Sequence, residues 1–141
     1  MIEVDTPVLA RPAAFDPGIA SIPVRLGERT LHLQTSPESC LKRLLSAHPE
    51  LSVYQLGKVF RDDPPTSRHH PEFTMLEWYR VGFDLPALMG ETEALLEAVT
   101  GIAAGPRTRL GTLLARHAGF PVLGADGSTL ARAARERFGL R

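Results

Sequence analysis

Among 141 residues there is a single cysteine, Cys40, so no disulfide can form within the chain. A reducing compartment, the cytoplasm, is therefore the expected setting. No run approaches the roughly 20 apolar residues that a membrane-spanning helix needs. Residues 1–7 lack the basic start and apolar stretch of a secretory signal, and no membrane partner is expected. Neither sign of charge is in excess: 16 basic and 16 acidic residues cancel, which gives no bulk attraction to nucleic acid or lipid. Repeats and low-complexity tracts are absent. So are Gly-x-x-x-x-Gly-Lys and Gly-x-Gly-x-x-Gly, and any nucleotide site must use another architecture.

What is present is a globular composition, 43% hydrophobic and 23% charged, long enough for about one domain. Twelve prolines and twelve glycines divide it into short elements. Residues 1–22 read as a short extended piece and then loop, because Pro7, Pro12, Pro17 and Pro23 forbid a long helix. Residues 24–33 alternate around Gly27-Glu28-Arg29, a hairpin signal. Ser36-Pro37-Glu38 opens a helix to about Ala47, with Ser36 as N-cap and Cys40, Leu41, Leu44 and Leu45 inward. Residues 53–61 and 72–81 read as strands. The connection from 62 to 71 carries three prolines, and the two strands should pair antiparallel. Asp84 caps a further helix whose apolar face is Leu85, Leu88, Met89, Leu95, Leu96 and Val99, ended by Gly101. Two shorter helices follow near 110–118 and 128–138. Strands followed by helices predict an α+β layout, an antiparallel sheet flanked by helices. The expected division is a core of strands and helices over residues 1–101 and a helical segment over 102–141. The latter holds seven arginines against Asp126 and Glu136, which suits either a solvated helical surface or a docking face for an acidic partner.

Strand alternation places the chemistry. One face of residues 72–80 presents Phe73, Met75, Glu77 and Tyr79, and one face of residues 53–61 presents Val53, Gln55, Gly57, Val59 and Arg61. Glu77 among apolar neighbours needs a partner, either a structural arginine or a ligand amine beside Tyr79. Gly57 in a strand interior marks close approach of a ligand or of backbone. Arg61 ends its strand at the mouth of the loop and can grip a phosphate. Arg68, His69 and His70 follow across the loop: singly they are solvated residues, together a cationic rim. Phosphate on arginine and base on Phe73 would suit a nucleotide. His69 and His70 point different ways with no third ligand at metal spacing, so no metal site is expected there. Cys40 belongs to the core rather than to a reactive centre.

The run Phe60-Arg61-Asp62-Asp63, continued by Arg68-His69-His70-Pro71-Glu72-Phe73-Thr74-Met75-Leu76-Glu77, resembles motif 2 of the class II aminoacyl-tRNA synthetases, lysine branch. Thr35-Ser36-Pro37-Glu38 with Lys42-Arg43-Leu44-Leu45 is similar to the segment preceding motif 2, and Val4-Asp5-Thr6-Pro7 to the end of motif 1. Glu77-Trp78-Tyr79-Arg80 resembles the elongation factor P lysine ligases, stand-alone relatives without an anticodon-binding domain. The resemblance covers residues 2–100 well and the remainder loosely.

The resemblance implies a partial class II catalytic domain. It also implies ATP-dependent activation of lysine, or its β-lysine isomer, through an aminoacyl-adenylate. Transfer to a lysine of elongation factor P would follow; transfer to tRNA, or a non-catalytic nucleotide- or partner-binding role, are the alternatives. Arg61 would be the catalytic arginine on the α-phosphate. Asp63, shorter than the usual Glu, would contact the adenine side, and His69 would help hold the nucleotide. His70 stands where Asn is usual. Phe73 would stack on adenine, Glu77 and Tyr79 would hold amino groups of the substrate, and Ser36 and Glu38 would line its pocket. ATP and Mg²⁺ are the implied cofactors, and a homodimer the implied assembly. A motif 3 with its second arginine, and the acidic metal ligands before it, are not recognisable, so the expectation is a truncated domain with an incomplete dimer interface.

Overall fold

The computed structural model describes residues 1–11 and 18–140, without the side chain of Phe138. Pro12 and Pro17, expected to break any helix near the start, lie outside the described residues. The chain divides into two compact units, residues 1–90 and 91–141. No helix among the described residues is long and apolar enough to cross a membrane.

The first unit holds two three-stranded sheets. Strands β1 (Ile2–Glu3), β5 (Val53–Phe60) and β6 (Glu72–Tyr79) form one, in the order β1-β5-β6. Strands β2 (Leu9–Ala10), β3 (Pro23–Leu26) and β4 (Arg29–Leu33) form the other, in the order β2-β4-β3. The expected hairpin is β3–β4, with Leu26 opposite Arg29. Its loop is Gly27-Glu28, with Gly27 at φ +62 and Glu28 outside the left-handed region, the combination of a type II′ turn. The chain start is not one extended piece but two short strands that join different sheets. β1 runs parallel to β5 because the chain passes through the second sheet and α1 before returning in the same direction. The β5–β6 pair is antiparallel, as the sequence predicts.

Gln34 stitches the two sheets. Its backbone N–H donates to the Val8 carbonyl at 2.9 Å, and its carbonyl accepts from Phe60 N–H at 2.8 Å. Its side-chain Nε2 donates to the Lys58 carbonyl at 3.0 Å, while Oε1 accepts from the Thr6 hydroxyl at 3.2 Å. A buried amide with both ends engaged holds its strands in one register.

Helix α1 spans Glu38–Ala47. Pro37, not Ser36, occupies the cap position, and no side chain caps it; the Ser36 hydroxyl instead accepts from Glu38 N–H at 3.4 Å. Proline's fixed φ, here −79°, already suits a helix entry. Leu41 is fully buried and Cys40, Leu44 and Leu45 are half-buried. Helix α2 spans Leu85–Thr100. Asp84 Oδ1 accepts from Ala87 N–H at 2.9 Å, and Gly101 at φ +71 ends the helix. Its apolar stripe is where expected, yet the described residues bury none of it: Leu85 and Val99 are 70% and 75% exposed.

In the second unit, α3 (Leu110–Ala118) and α4 (Gly127–Phe138) enclose an apolar pocket of about 220 Å³ lined by Leu114, Phe120, Val122 and Leu130. Part of its arginine excess is structural. Arg107 makes a two-pronged ion pair with Glu93 at 2.8 Å on each prong, and Arg137 donates to the Ala118 carbonyl. Arg116 and Arg135 sit in last helical turns, where they offset the negative end of the helix dipole.

Leu41→Ala should destabilise the first unit by about 2–5 kcal/mol in urea unfolding, as removal of a fully buried leucine does. In the second unit, hydrogen bonds from the Ser128 hydroxyl first, then the Thr129 amide and hydroxyl, hold Asp126 well below the usual carboxylate range. A depressed native pKa contributes stability above the unfolded value and loses it as pH falls. The Thr129 amide resonance should therefore move as pH is lowered below about 4, and Asp126→Ala should remove that transition.

Candidate active site

The antiparallel register assembles the site. Val53 lies opposite Tyr79, Gln55 opposite Glu77, Gly57 opposite Met75 and Val59 opposite Phe73. Directly opposed residues share a face of the sheet, so Phe73, Glu77 and Tyr79 join Gln55 and Gly57 on one side. Arg61 extends that side: one residue past β5, its backbone N–H still donates to the Pro71 carbonyl at 2.9 Å. The faces differ in burial. Val53, Gln55 and Val59 are buried on the site side, whereas Leu56, Lys58, Thr74 and Leu76 are exposed on the other. The outer side carries a Lys58–Glu72 ion pair at 3.2 Å between exposed groups, a contact of small energetic weight.

At one end, the Arg61 guanidinium lies 5.1 Å from the centre of the Phe73 ring. Its Nε donates to the Thr35 carbonyl at 3.4 Å. Ring and carbonyl together orient the cation before any ligand arrives, leaving other guanidinium donors for an anion. The sequence segment that includes Thr35 gave it no role of its own, because its carbonyl, not its side chain, makes the contact.

At the other end, the Tyr79 hydroxyl donates to Glu77 Oε1 at 2.8 Å. Burial first, then the hydrogen bond to Glu77 and the charges of Glu77 and Glu38, push the Tyr79 phenol well above the usual range. Tyr79 thus stays a neutral donor that orients the carboxylate. Glu38, at the start of α1, forms an ion pair with Lys42 one turn later. The hydrogen bond to Glu38 raises the Lys42 pKa, and the Glu77 charge adds to the effect. Glu38, Glu77 and Tyr79 thus form one electrostatic neighbourhood, an acidic end facing an arginine end. Ser36 is half-buried beside it. Lys42, which the sequence reading assigned no role here, is the internal cation of this acidic end.

Gly57 is approached closely from within its own strand. The group that approaches it is the Gln55 carboxamide, whose Nε2 lies 3.3 Å from where a Cβ on Gly57 would stand. Gln55 is 3% exposed, and its Oε1 is buried without a hydrogen-bond partner among the described residues. Strand alternation placed Gln55 on this face without giving it a role; a lone amide between valines is the sequence signal that could have marked it.

The loop residues Asp63, His69 and His70 lie beyond the strand face. Thr66 organises this loop: its hydroxyl accepts from the N–H groups of Arg68 and His69 and shares a 3.0 Å hydrogen bond with His69 Nδ1. Arg68, His69 and His70 are exposed and Asp63 is half-buried. Among the described residues no three His, Cys, Asp or Glu side chains converge to hold a metal ion. The described residues therefore offer no protein-only cage for Mg²⁺, an ion that usually keeps waters and substrate phosphates among its ligands.

A phenol kept neutral by burial and by Glu77 should be the last to ionise. Tyr54 is also raised, by its hydrogen bond to Glu3, but is exposed to solvent on that side. In Tyr54→Phe, ultraviolet titration should show little phenolate through the ordinary tyrosine range near pH 10. Glu77→Gln should bring the transition down. The native stability that this raised pKa contributes is complete below the unfolded tyrosine value and lost as pH rises through the folded one.

The family model "tRNA synthetases class II (D, K and N)" matches residues 1–121. The chain is 42% identical over 135 residues to the elongation factor P--(R)-beta-lysine ligase of Pseudoalteromonas translucida, covering 92% of this chain and 40% of that protein. It is 42% identical over 113 residues to the ligase of that name from Vibrio cholerae, covering 76% and 35%, and 36% identical over 140 residues to that of Yersinia enterocolitica, covering 95% and 43%. The chain thus spans less than half the length of these relatives. Among solved structures, asparaginyl-tRNA synthetase from Pyrococcus horikoshii, complexed with asparaginyl-adenylate, superposes with a TM-score of 0.58 at 25% identity, over 68% of this chain and 22% of that one. The α+β architecture, the motif 2 strands and the matched residues agree: this chain belongs to the class II tRNA synthetase family of the D, K and N group.

Proposed function

We propose that this chain carries the lysine- and ATP-binding half of a ligase that activates lysine or β-lysine as an adenylate and transfers it to a lysine of elongation factor P. One observation carries the reading: a fixed guanidinium stacked on an aromatic ring and a carboxylate oriented by a phenol lie at opposite ends of one sheet face. The first suits a nucleotide phosphate and base. The second suits an ammonium group. Phe73 and Glu77 are four residues apart, a separation on the order of 13 Å along the strand, which accommodates an extended aminoacyl phosphate.

In the first step the carboxylate oxygen of the amino acid attacks the α-phosphorus of ATP, and pyrophosphate leaves. Two anions must approach, so a cation placed beforehand at the α-phosphate lowers the barrier. Arg61 is that cation in this reading, with Phe73 beneath the adenine. Asp63, His69 and His70 would contact the nucleotide from the loop. Glu77, Tyr79, Ser36 and Glu38 would bind and align the amine-bearing substrate, and alignment itself is a large part of the rate. In the second step an acceptor amine attacks the acyl carbonyl and AMP leaves.

Elongation factor P is favoured as acceptor by the names of the similar ligases and by Glu77-Trp78-Tyr79-Arg80. Transfer to tRNA is the second reading, favoured by the asparaginyl-tRNA synthetase likeness. An acidic receptor of Glu77 and Tyr79 suits a cationic side chain better than a neutral amide.

Lysine-dependent exchange of labelled pyrophosphate into ATP measures the first step. Arg61→Ala should lower it by about 10²–10³-fold; unchanged exchange would refute the phosphate role. Glu77→Gln should raise the lysine requirement far more than the ATP requirement, and equal effects on both would refute the amine role. Labelled lysine appearing on tRNA and not on elongation factor P would select the second reading.

A further inference from the structure

We infer that Gln55 is a specificity-determining residue that accepts a hydrogen bond from the substrate amine nearer the reacting carboxylate, while Glu77 takes the terminal amine. The inference rests on the lysine reading of the site.

Three observations place Gln55 there. It lies directly opposite Glu77 in the β5–β6 register, so their Cβ atoms are about 4.5–5.5 Å apart on the same face. Its side chain lies along the strand over Gly57, toward the Arg61 end, while the Glu77 carboxylate is engaged by Tyr79 on the opposite side. Its Oε1 is buried with no partner among the described residues, in a residue only 3% exposed. A buried acceptor without a donor is costly, and a group that supplies one binds with that cost relieved.

The carboxamide therefore sits between the carboxylate end and the arginine end. In an extended aminoacyl phosphate lying along this face, the inner ammonium falls in the same interval. Rotation about the terminal side-chain torsion, a broad and soft one, exchanges the two ends of the amide. It brings Oε1 over Gly57, where Nε2 now lies. Any side chain at position 57 would obstruct that movement, since a Cβ there would already stand 3.3 Å from the amide. A neutral amide has a further consequence. A second carboxylate directly opposite Glu77 would raise the pKa of one of the pair, whereas Gln55 adds an acceptor without adding charge.

The test compares lysine with 6-aminohexanoate, which keeps the carboxylate and the terminal amine but lacks the inner one. Dissociation constants are measured by titration calorimetry on the full chain, for wild type, Gln55→Met and Gln55→Leu. Wild type should prefer lysine by about ten- to a hundredfold, the range of a hydrogen bond to a charged group. Gln55→Met, similar in size but without the acceptor, should lose most of that preference while binding 6-aminohexanoate nearly as before. Gln55→Leu, which also lacks the acceptor and adds no charge beside Glu77, should lose the preference in the same way, and this variant decides the matter should Gln55→Met fail to fold.

Equal weakening of both ligands by Gln55→Met would assign Gln55 a merely structural role and overturn the inference. So would a preference for lysine left unchanged in Gln55→Met or in Gln55→Leu. Wild type that binds lysine and 6-aminohexanoate equally well would overturn the Gln55 role alone. Wild type that binds neither would overturn the lysine reading and this inference with it.

Discussion

The pairing of Gln55 with Glu77 across β5 and β6 is the constraint on which the site depends. Strand side chains alternate with a period of two, so a slip of one residue would send Glu77 and Tyr79 to the exposed outer side and leave Arg61 without its aromatic partner. The register is held from both faces. Val53 and Val59 are buried on the inner side, and burying Leu56 and Lys58 in their place would desolvate a charge. Gln34 adds a positional lock, because its amide reads the carbonyl of Lys58 and the hydroxyl of Thr6 at once.

Electrostatics then divides this surface into two ends. The arginine end is oriented by neutral groups, a phenylalanine ring and a backbone carbonyl, so its charge remains available to an anion. The acidic end is organised by a neutral phenol and by Lys42, a flexible cation on an exposed turn of helix. A mobile lysine ammonium is easily exchanged for an incoming one, whereas a buried arginine would satisfy the carboxylates permanently. In the proposed reaction this asymmetry has a use: the phosphate meets a fixed positive group, and the amine meets acceptors that it can occupy.

Much of the architecture was legible along the chain because it depends on local rules. Asp84 and Gly101 bound α2 as capping and left-handed geometry predict, and Gly27 sets the hairpin turn. The N-terminal strands were not legible. Ile2–Glu3 and Leu9–Ala10 are two residues each, too short for any periodic signal, and they exist only through partners some 50 and 20 residues away. The apolar stripe of α2 shows the converse limit: amphipathic spacing foretells a face, but not what covers it.

The candidate site divides in the same way. Sequence alone determined which residues could share a strand face, since alternation needs no tertiary knowledge; it also carried the motif by which the family is similar. Only the folded chain decided that two such faces coincide, that Thr35 lends its carbonyl to Arg61, and that the Gln55 carboxamide lies against Gly57. Those facts depend on distances between residues remote in sequence. A backbone carbonyl or an orphaned amide oxygen has no signature in composition; its role arises from what the register and the packing place beside it.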